Sequence, residues 1–339
     1  MIVKFLLSLL ISFGITWLAT PLVINYFKKK KWVEDPKEKQ KKTGNATATT
    51  RVPRGGGISI FFGILIAGLW MLPLDKYLLS IIGTALAVLA VGVWDDIKDI
   101  SPILRLGTNI ILATVVVFLG IKINYVSNPF GGIIDLTTIK MLPEILTVFW
   151  IVWCMNIVGW AAGVEGQLPG FVSISAVFIG ILGLRFASDI TVWPVIILAG
   201  AVAGAYLGFL PFNFWPQKIM PGYSGKSMAG FLLAILSILS GAKLATLIFL
   251  LGIPMLDAGI VLIRRIIKRK SPFKSDSNHL HHQLLKIGWT KKQVAVFYWA
   301  VSLVLGIIAL FLNSQQKFYV FLGLIILFLG FLLKVYRRI

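Results

Sequence analysis

The 339-residue sequence predicts an all-α protein that crosses a lipid bilayer many times. Hydrophobic residues make up 58% of the chain and charged residues only 14%, a composition unlike that of a soluble domain. The apolar residues gather in runs near the roughly 20 residues that one helical crossing needs. Basic residues collect in alternate connecting segments, as in a chain threaded through a membrane. We therefore expect one membrane-embedded domain over residues 1–339.

Eleven apolar runs are the candidate membrane spans. They cover approximately residues 2–26, 58–74, 78–93, 104–123, 143–158, 171–187, 190–209, 228–240, 243–262, 294–313 and 318–336. The run at 228–240 is short and Gly-rich at its start, so its assignment rests on the weakest pattern. An odd number of crossings places the two termini on opposite sides of the membrane.

The distribution of charge sets the expected orientation. Most of the 33 Lys and Arg residues lie on one side, in segments 27–57, 94–103, 159–170, 210–227, 263–293 and 337–339. Such an excess marks the cytoplasmic face, so we expect an outside amino terminus, a cytoplasmic carboxyl terminus and a location in the plasma or inner membrane. The net charge of +20 then suits anionic lipids and phosphorylated ligands rather than nucleic acid. On the opposite side, residues 124–142 have room for a small hairpin.

Three aspartates follow the third predicted span in the stretch VGVWDDIKDISP, residues 91–102. If the helix continues, Asp95 and Asp99 lie one turn apart, and Asp96 and Asp99 share a neighbouring face. Carboxylates this close repel one another unless a cation lies between them or protons are taken up. We interpret them as a site for Mg²⁺ shared with a phosphate substrate. The alternative is a solvated helix end with Lys98 as the local counter-charge.

Two further segments on the same side carry weaker signals. Arg54 precedes three glycines, which allow close backbone approach, and a guanidinium can bind phosphate through two hydrogen bonds. Taken alone, that segment is better explained as a flexible linker whose lysines mark the cytoplasmic side. Glu165 is the only acid in the Gly-rich segment 156–166, where it could bind a metal, accept from a base or cap a helix.

All three histidines of the chain lie within four residues, as His279, His281 and His282. We interpret them as donors to phosphate or pyrophosphate. A structural zinc site is the alternative, but the sole cysteine, Cys154, lies inside an apolar run, and four closing ligands are lacking. The GKS at the end of residues 222–227 is not a nucleotide-hydrolase phosphate loop, which has a longer glycine spacing after a strand.

With these segments in order, the sequence resembles the polyprenyl-phosphate N-acetylhexosamine-1-phosphate transferases. That family includes enzymes that begin O-antigen, enterobacterial common antigen and teichoic acid synthesis, and more distantly the phospho-MurNAc-pentapeptide translocase. The most specific pieces are DDIKDISP and SPFKSDSNHLHHQLLKIG, and HLHH favours the GlcNAc branch. The resemblance implies an integral membrane enzyme that uses Mg²⁺ or Mn²⁺. It would move a sugar 1-phosphate, expected to be GlcNAc 1-phosphate, from a UDP-sugar to undecaprenyl or another polyprenyl phosphate and release UMP; a homodimer is a further expectation.

The resemblance also assigns roles by position in the motifs. Asp95 and Asp96 would form the catalytic centre, with Asp95 deprotonating or orienting the prenyl phosphate for attack on the β-phosphorus. The expected metal ligands are Asp95, Asp96, Asp99 and Glu165. The expected substrate-binding residues are Arg54, Arg105, Asn156, Glu165, Asn213, His279, His281 and His282.

The sequence departs from the family in two motifs. In the usual NxxNxxDGxDG, the second asparagine is Gly159, the first aspartate is Ala162 and the second is Glu165. The usual GDxGS reads GYSGK, so Tyr223 stands where the family has a metal-binding aspartate. These differences leave two alternatives open: a relative with a changed nucleotide-sugar donor, and a catalytically silent homologue that binds prenyl phosphate or regulates an active partner.

Overall fold

The computed structural model describes residues 1–43, 50–240, 244–269 and 279–336, and it is almost entirely helical. Within these residues, eight helices are long and apolar enough to cross a membrane, and a bent helix pair makes a ninth if it counts as one span. The predicted all-α polytopic membrane fold is therefore confirmed. The serine-rich part of the stretch SPFKSDSNHLHHQLLKIG, residues 271–278, lies outside the described residues.

Ten of the eleven predicted spans each coincide with one helix. The helices are α1 (Ile2–Lys29), α2 (Pro36–Thr43), α3 (Gly56–Met71), α4 (Lys76–Lys98), α5 (Pro102–Phe118), α6 (Leu142–Trp160), α7 (Gln167–Leu184), α8 (Trp193–Asn213), α9 (Gly222–Leu239), α10 (Leu244–Leu250), α11 (Gly252–Ile267), α12 (Leu280–Lys286), α13 (Lys291–Phe311) and α14 (Ser314–Tyr336). The apolar helices α3 and α5 have 16 and 17 residues. At 1.5 Å per residue they are about 25 Å long, close to the roughly 30 Å of a hydrocarbon core.

The span predicted over 243–262 is broken into α10 and α11, which meet at 84°. Pro254 in the first turn of α11 explains the break, because proline has no N–H to donate to the carbonyl four residues earlier and its ring clashes with that carbonyl. The bend turns α11 towards α6, with which it is in contact. It thereby brings Asp257 of α11 to the functional site described below.

Helices α7, α8 and α9 form the buried centre of the bundle, and α1 packs along α8. Gly200, Gly204 and Gly208 of α8 lie one turn apart, directly against backbone carbonyls of α1. A methyl group at any of the three would overlap a carbonyl oxygen, so small residues allow the two backbones this close approach.

Two small antiparallel strand pairs lie among the connecting segments. Strands β3 (Tyr125–Ser127) and β4 (Ile133–Asp135) form the hairpin predicted for residues 124–142. Strands β1 (Val33–Glu34) and β2 (Val52–Pro53) pair just before α3. The chain after β2 is fixed to the segment before α9, because Met220 N–H donates to the Pro53 carbonyl and Gly56 N–H donates to the Met220 carbonyl. This contact joins the segment around Arg54 to the segment before α9.

Candidate active site

A cavity of about 1220 Å³ lies where the ends of α4, α6 and α8 meet the starts of α3, α5, α7 and α9. At its polar end the wall carries mainly cationic and imidazole side chains. These are Arg54, Arg105, Lys226, His279, His281 and His282, together with Lys39, Glu34 and Glu165. From there the cavity continues between apolar side chains of α5 and α6, such as Ile110, Val117 and Phe149, as far as Lys122 and Glu144. A charged end and a long apolar channel therefore share one cavity.

Asp95 is fully buried and lies behind the cationic wall. Its Oδ1 accepts hydrogen bonds from Arg105 Nε at 2.6 Å and from the Ile100 N–H at 3.1 Å. Its Oδ2 lies 3.5 Å from Arg54 Nη2. In this position Asp95 fixes both guanidinium groups against the cavity, but a role in orienting the prenyl phosphate stays a prediction. A role as general base stays a prediction.

Asp96 caps the start of α9. Its Oδ1 accepts from the Tyr223 N–H at 2.6 Å, and its Oδ2 accepts from Ser224 Oγ at 2.6 Å and from the Ser224 N–H at 3.3 Å. A carboxylate is favoured at a helix amino terminus, where free N–H groups and the helix dipole meet. Asp96 therefore connects α4 to α9. Arg54 also lies near this carboxylate, with its Nε 3.6 Å from Asp96 Oδ1.

Asp99 completes a network of three carboxylates around two arginines. Its Oδ1 accepts from Arg105 Nη2 at 2.9 Å and lies 3.7 Å from Arg54 Nη1. Burial opposes ionisation of Asp99, but Lys39, Arg54 and Arg105 together hold its pKa below the usual value. Arg54 also pairs with Glu34 at 3.6 Å. The cation that close carboxylates require is thus supplied by guanidinium groups of the chain itself.

Tyr223, at the position of the family aspartate, contributes no carboxylate. Its hydroxyl donates to Asn109 Oδ1 at 3.2 Å, and Arg105 lies over its ring at 5.2 Å from the centroid. The Tyr223 ring therefore packs against the guanidinium group of Arg105. Asn109 is a residue that the sequence patterns did not single out.

Glu165 and Asn213 hold the loops on the other side of the cavity. Glu165 Oε1 accepts from Lys291 Nζ at 2.8 Å and from Gln217 Nε2 at 3.3 Å, while its buried Oε2 has no hydrogen-bond partner among the described residues. Asn213 Oδ1 accepts from the Gly166 N–H at 3.0 Å, and its Nδ2 donates to the Ile219 carbonyl at 2.9 Å. Asn213 therefore clamps two loops together, and Glu165 keeps one oxygen free for a ligand.

Asn156 and the histidines form the third side. Asn156 Nδ2 donates to a carbonyl of its own helix at 2.7 Å, and Asn156 lines the cavity. His279 Nδ1 lies 2.8 Å from Asp257 Oδ2, while Asp257 Oδ1 accepts from the Leu280 N–H at 2.8 Å. Sequence reasoning did not give Asp257 this role, although it is the only acid in α11. It orients His279 and fixes the start of α12.

His281 is buried at the centre of the histidine group. Its ring is stacked 5.8 Å from that of His279 and lies 4.3 Å from that of His282. Burial and the nearby His282, His279 and Lys226 hold the pKa of His281 well below the usual range. His281 is therefore neutral near pH 7, with one ring nitrogen available as a donor.

The residues present do not fit the divalent-cation site expected from Asp95, Asp96, Asp99 and Glu165. Among the described residues, no group of three or more His, Cys, Asp and Glu side chains is arranged to hold a metal ion. Mg²⁺ demands near-octahedral oxygen ligands at about 2.0–2.1 Å. Most of the candidate oxygens already accept from Arg105, the start of α9 or Lys291. The described part of the chain therefore contains no set of side chains arranged to bind a metal ion. The use of Mg²⁺ or Mn²⁺ stays a prediction.

Gly163→Ala is expected to lower turnover by about 10- to 100-fold, the scale of a functional group displaced by about 1 Å. A methyl group at Gly163 would overlap the ring of His281 and push it from its place. Gly107→Ala in α5 is the matched control, because a methyl group there meets no atom within 4 Å. Steady-state turnover of both purified variants checks the prediction, and equal loss in the two variants would contradict it.

Comparison with known proteins finds similarity to polyprenyl-phosphate sugar-phosphate transferases. The family model for glycosyl transferase family 4 matches residues 78–241. The chain is 27% identical to the probable undecaprenyl-phosphate N-acetylglucosaminyl 1-phosphate transferase of Bacillus subtilis, over 82% of this chain and 77% of that protein. It is 29% identical to the undecaprenyl-phosphate α-N-acetylglucosaminyl 1-phosphate transferase of Haemophilus influenzae, over 82% and 80%. It is 26% identical to the phospho-N-acetylmuramoyl-pentapeptide-transferase of Enterococcus hirae, over 90% and 97%.

Proposed function

We propose that the chain, which is similar to glycosyl transferase family 4 over residues 78–241, transfers N-acetylglucosamine 1-phosphate from UDP-GlcNAc to a polyprenyl phosphate. A phosphate oxygen of the lipid attacks the β-phosphorus of the nucleotide sugar. A bond forms between that oxygen and the β-phosphorus, and the bond from the β-phosphorus to the bridging oxygen breaks. UMP leaves with the bridging oxygen, and the product is a lipid diphosphate that carries the sugar.

The observation that supports this function is the continuity of the cavity. Its polar end offers guanidinium, ammonium and imidazole groups to phosphates, and its apolar end follows α5 and α6. A lipid that ends in a phosphate needs both environments in one site, because its chain is apolar and its end group is anionic. The attack of that phosphate on a second phosphate takes place at the cationic end. A soluble phosphate or nucleotide alone would leave the apolar channel unoccupied.

Arg54 and Arg105 are the groups best placed to bind the reacting phosphates, since both line the cavity and are held from behind by aspartates. Phosphoryl transfer depends mainly on positioning and on stabilising negative charge, for which such fixed donors are suited. The neutral His281, with His279 and His282, adds imidazole donors on the opposite wall. Glu165 Oε2 is available as an acceptor for a hydroxyl or amide of the sugar or the nucleotide.

The site is proposed to face the cytoplasm, where nucleotide sugars are made, with the β3–β4 hairpin outside. A single cysteine at Ser127, exposed in β3, should react with a membrane-impermeant reagent in intact cells, in a background where Cys154 is replaced. A cysteine at Lys98, exposed at the end of α4, should react only after the membrane is opened. Ser277, the sequence-based choice for the inside probe, lies outside the described residues. The reverse labelling pattern would contradict the orientation.

Release of UMP from UDP-GlcNAc, measured on the purified protein in detergent, tests the proposed function. We expect release only when a polyprenyl phosphate is present. Release from a different nucleotide sugar instead would identify a relative with a changed donor. Absence of release from any donor in a panel, with lipid binding retained, would identify the catalytically silent homologue. A homodimer stays a prediction.

A further inference from the structure

We propose that the ammonium group of Lys226, beside Arg54, takes the place of a divalent cation in binding the diphosphate of the nucleotide sugar. The inference rests on the proposed function of the same site and names the group that neutralises its substrate. It predicts that donor binding and transfer do not require Mg²⁺ or Mn²⁺.

Lys226 lies at the polar end of the cavity. It lies in the first turn of α9, half-buried, and lines the polar end of the cavity with Arg54 and His281. Glu34 and Lys39 line the same cavity. The ammonium is therefore in the region where a bound diphosphate would meet the arginine.

The acids near Lys226 are already paired with other groups. Asp96 is engaged by the start of α9 and by Arg54, and Glu34 is shared between Arg54 and Lys39. In the described part of the chain, no carboxylate forms an ion pair with Lys226. A half-buried ammonium group without an anionic partner destabilises the folded protein. A diphosphate that enters the cavity would supply that partner.

The residues at positions 223 and 226 also keep the net charge that the family motif would have with a bound ion. An aspartate, a serine and one divalent cation would together contribute a net charge of +1 to this corner. Tyr223 and Lys226 at the two positions contribute the same net charge of +1 without an ion. A divalent cation added beside Lys226, Arg54 and Arg105 would instead meet three fixed positive charges, while the nearby carboxylates are already engaged by the arginines and by the start of α9. The two replacements are thus complementary, and either alone would leave the charge unbalanced.

Isothermal titration of UDP-GlcNAc into the purified full chain, in EDTA and in Mg²⁺, tests the inference. Wild-type affinity should agree within about 2-fold between the two buffers, and Lys226→Met should weaken it by about 10- to 100-fold in EDTA, the worth of one charged hydrogen bond. Lys218→Met is the matched control, because Lys218 is exposed in the loop before α9, away from the cavity wall. Its affinity should equal that of the wild type.

A double variant, Tyr223→Asp with Lys226→Ser, restores the family's GDxGS and should bind the nucleotide sugar only in Mg²⁺. This double variant still tests the inference if Lys226→Met fails to fold. Thermal unfolding measures whether Lys226→Met is folded. Wild-type binding that is lost in EDTA and restored by Mg²⁺, or Lys226→Met binding like the wild type, would overturn the inference. Metal-independent, Lys226-dependent binding without UMP release would uphold the inference and overturn the proposed transfer, so the two failures are distinguishable.

Discussion

Asp95→Asn is expected to lower turnover by about 100-fold or more, the scale of a lost general base or of catalytic groups displaced by about 1 Å. The carboxylate of Asp95 holds Arg105 through Oδ1 and Arg54 through Oδ2, and it is fully buried. An amide of the same shape keeps the packing but removes the charge that orients both guanidinium groups. The helix should still form, so thermal unfolding should change far less than turnover. Asp96→Asn is expected to cost as much turnover, but also stability, because Asp96 caps α9.

Asp75→Asn is the control for Asp95→Asn. Asp75 caps the start of α4, at the other end of the same helix, where it accepts from the Leu78 N–H. Asparagine is an equally good capping residue, so turnover should match that of the wild type. Near-normal turnover in purified Asp95→Asn would contradict the role given to the aspartates.

Arg105→Met is expected to lower turnover by about 1000-fold, within the range for arginines that stabilise a phosphoryl-transfer transition state. Arg105 lines the cavity, donates to Asp95 and Asp99 on one side and lies over the Tyr223 ring. Methionine keeps much of the volume and removes all five donors. Arg105→Lys should recover only part of the loss, since an ammonium cannot bind two oxygens in a fixed plane.

Arg51→Met is the matched control for Arg105→Met. Arg51 is largely exposed and pairs with Asp35 at 2.7 Å, outside the cavity. Single-turnover measurements with saturating UDP-GlcNAc separate the chemical step from binding. Loss confined to donor affinity in Arg105→Met, with an unchanged chemical step, would contradict a role for Arg105 in the transition state.

Most of the helical architecture follows from the sequence, because a run of apolar residues in a membrane has few alternatives to a helix. Each of the eleven predicted spans contains a helix, and the hairpin at residues 124–142 forms as predicted. The bend between α10 and α11 was missed, since hydropathy reports composition and not backbone continuity. Pro254 was the available signal, and its effect depends on the packing of the two halves against different helices.

The sequence suggests which residues belong to the site, but it does not show with which residues they form hydrogen bonds and ion pairs. Arg54, Arg105 and the three histidines line the cavity, while the aspartates lie behind its wall, and the roles of all these residues stay predictions. The pairs that determine their roles are far apart in the chain: Asp96 with Ser224, Glu165 with Lys291, and His279 with Asp257. A single sequence contains no signal for such pairs, because they arise from the packing of helices. The placement of arginines between the carboxylates, where a metal ion was expected, is one consequence.

The path of the β-phosphate tests the central claim most directly. Purified protein is incubated with UDP-GlcNAc labelled at the β-phosphorus and with undecaprenyl phosphate, and the lipid and nucleotide products are separated. Transfer of the sugar 1-phosphate predicts that the label moves to the lipid together with GlcNAc, and that unlabelled UMP appears in equal amount. Label that remains on UDP while the sugar moves to the lipid would show transfer of the sugar alone and contradict the account, as would label that never leaves the nucleotide sugar.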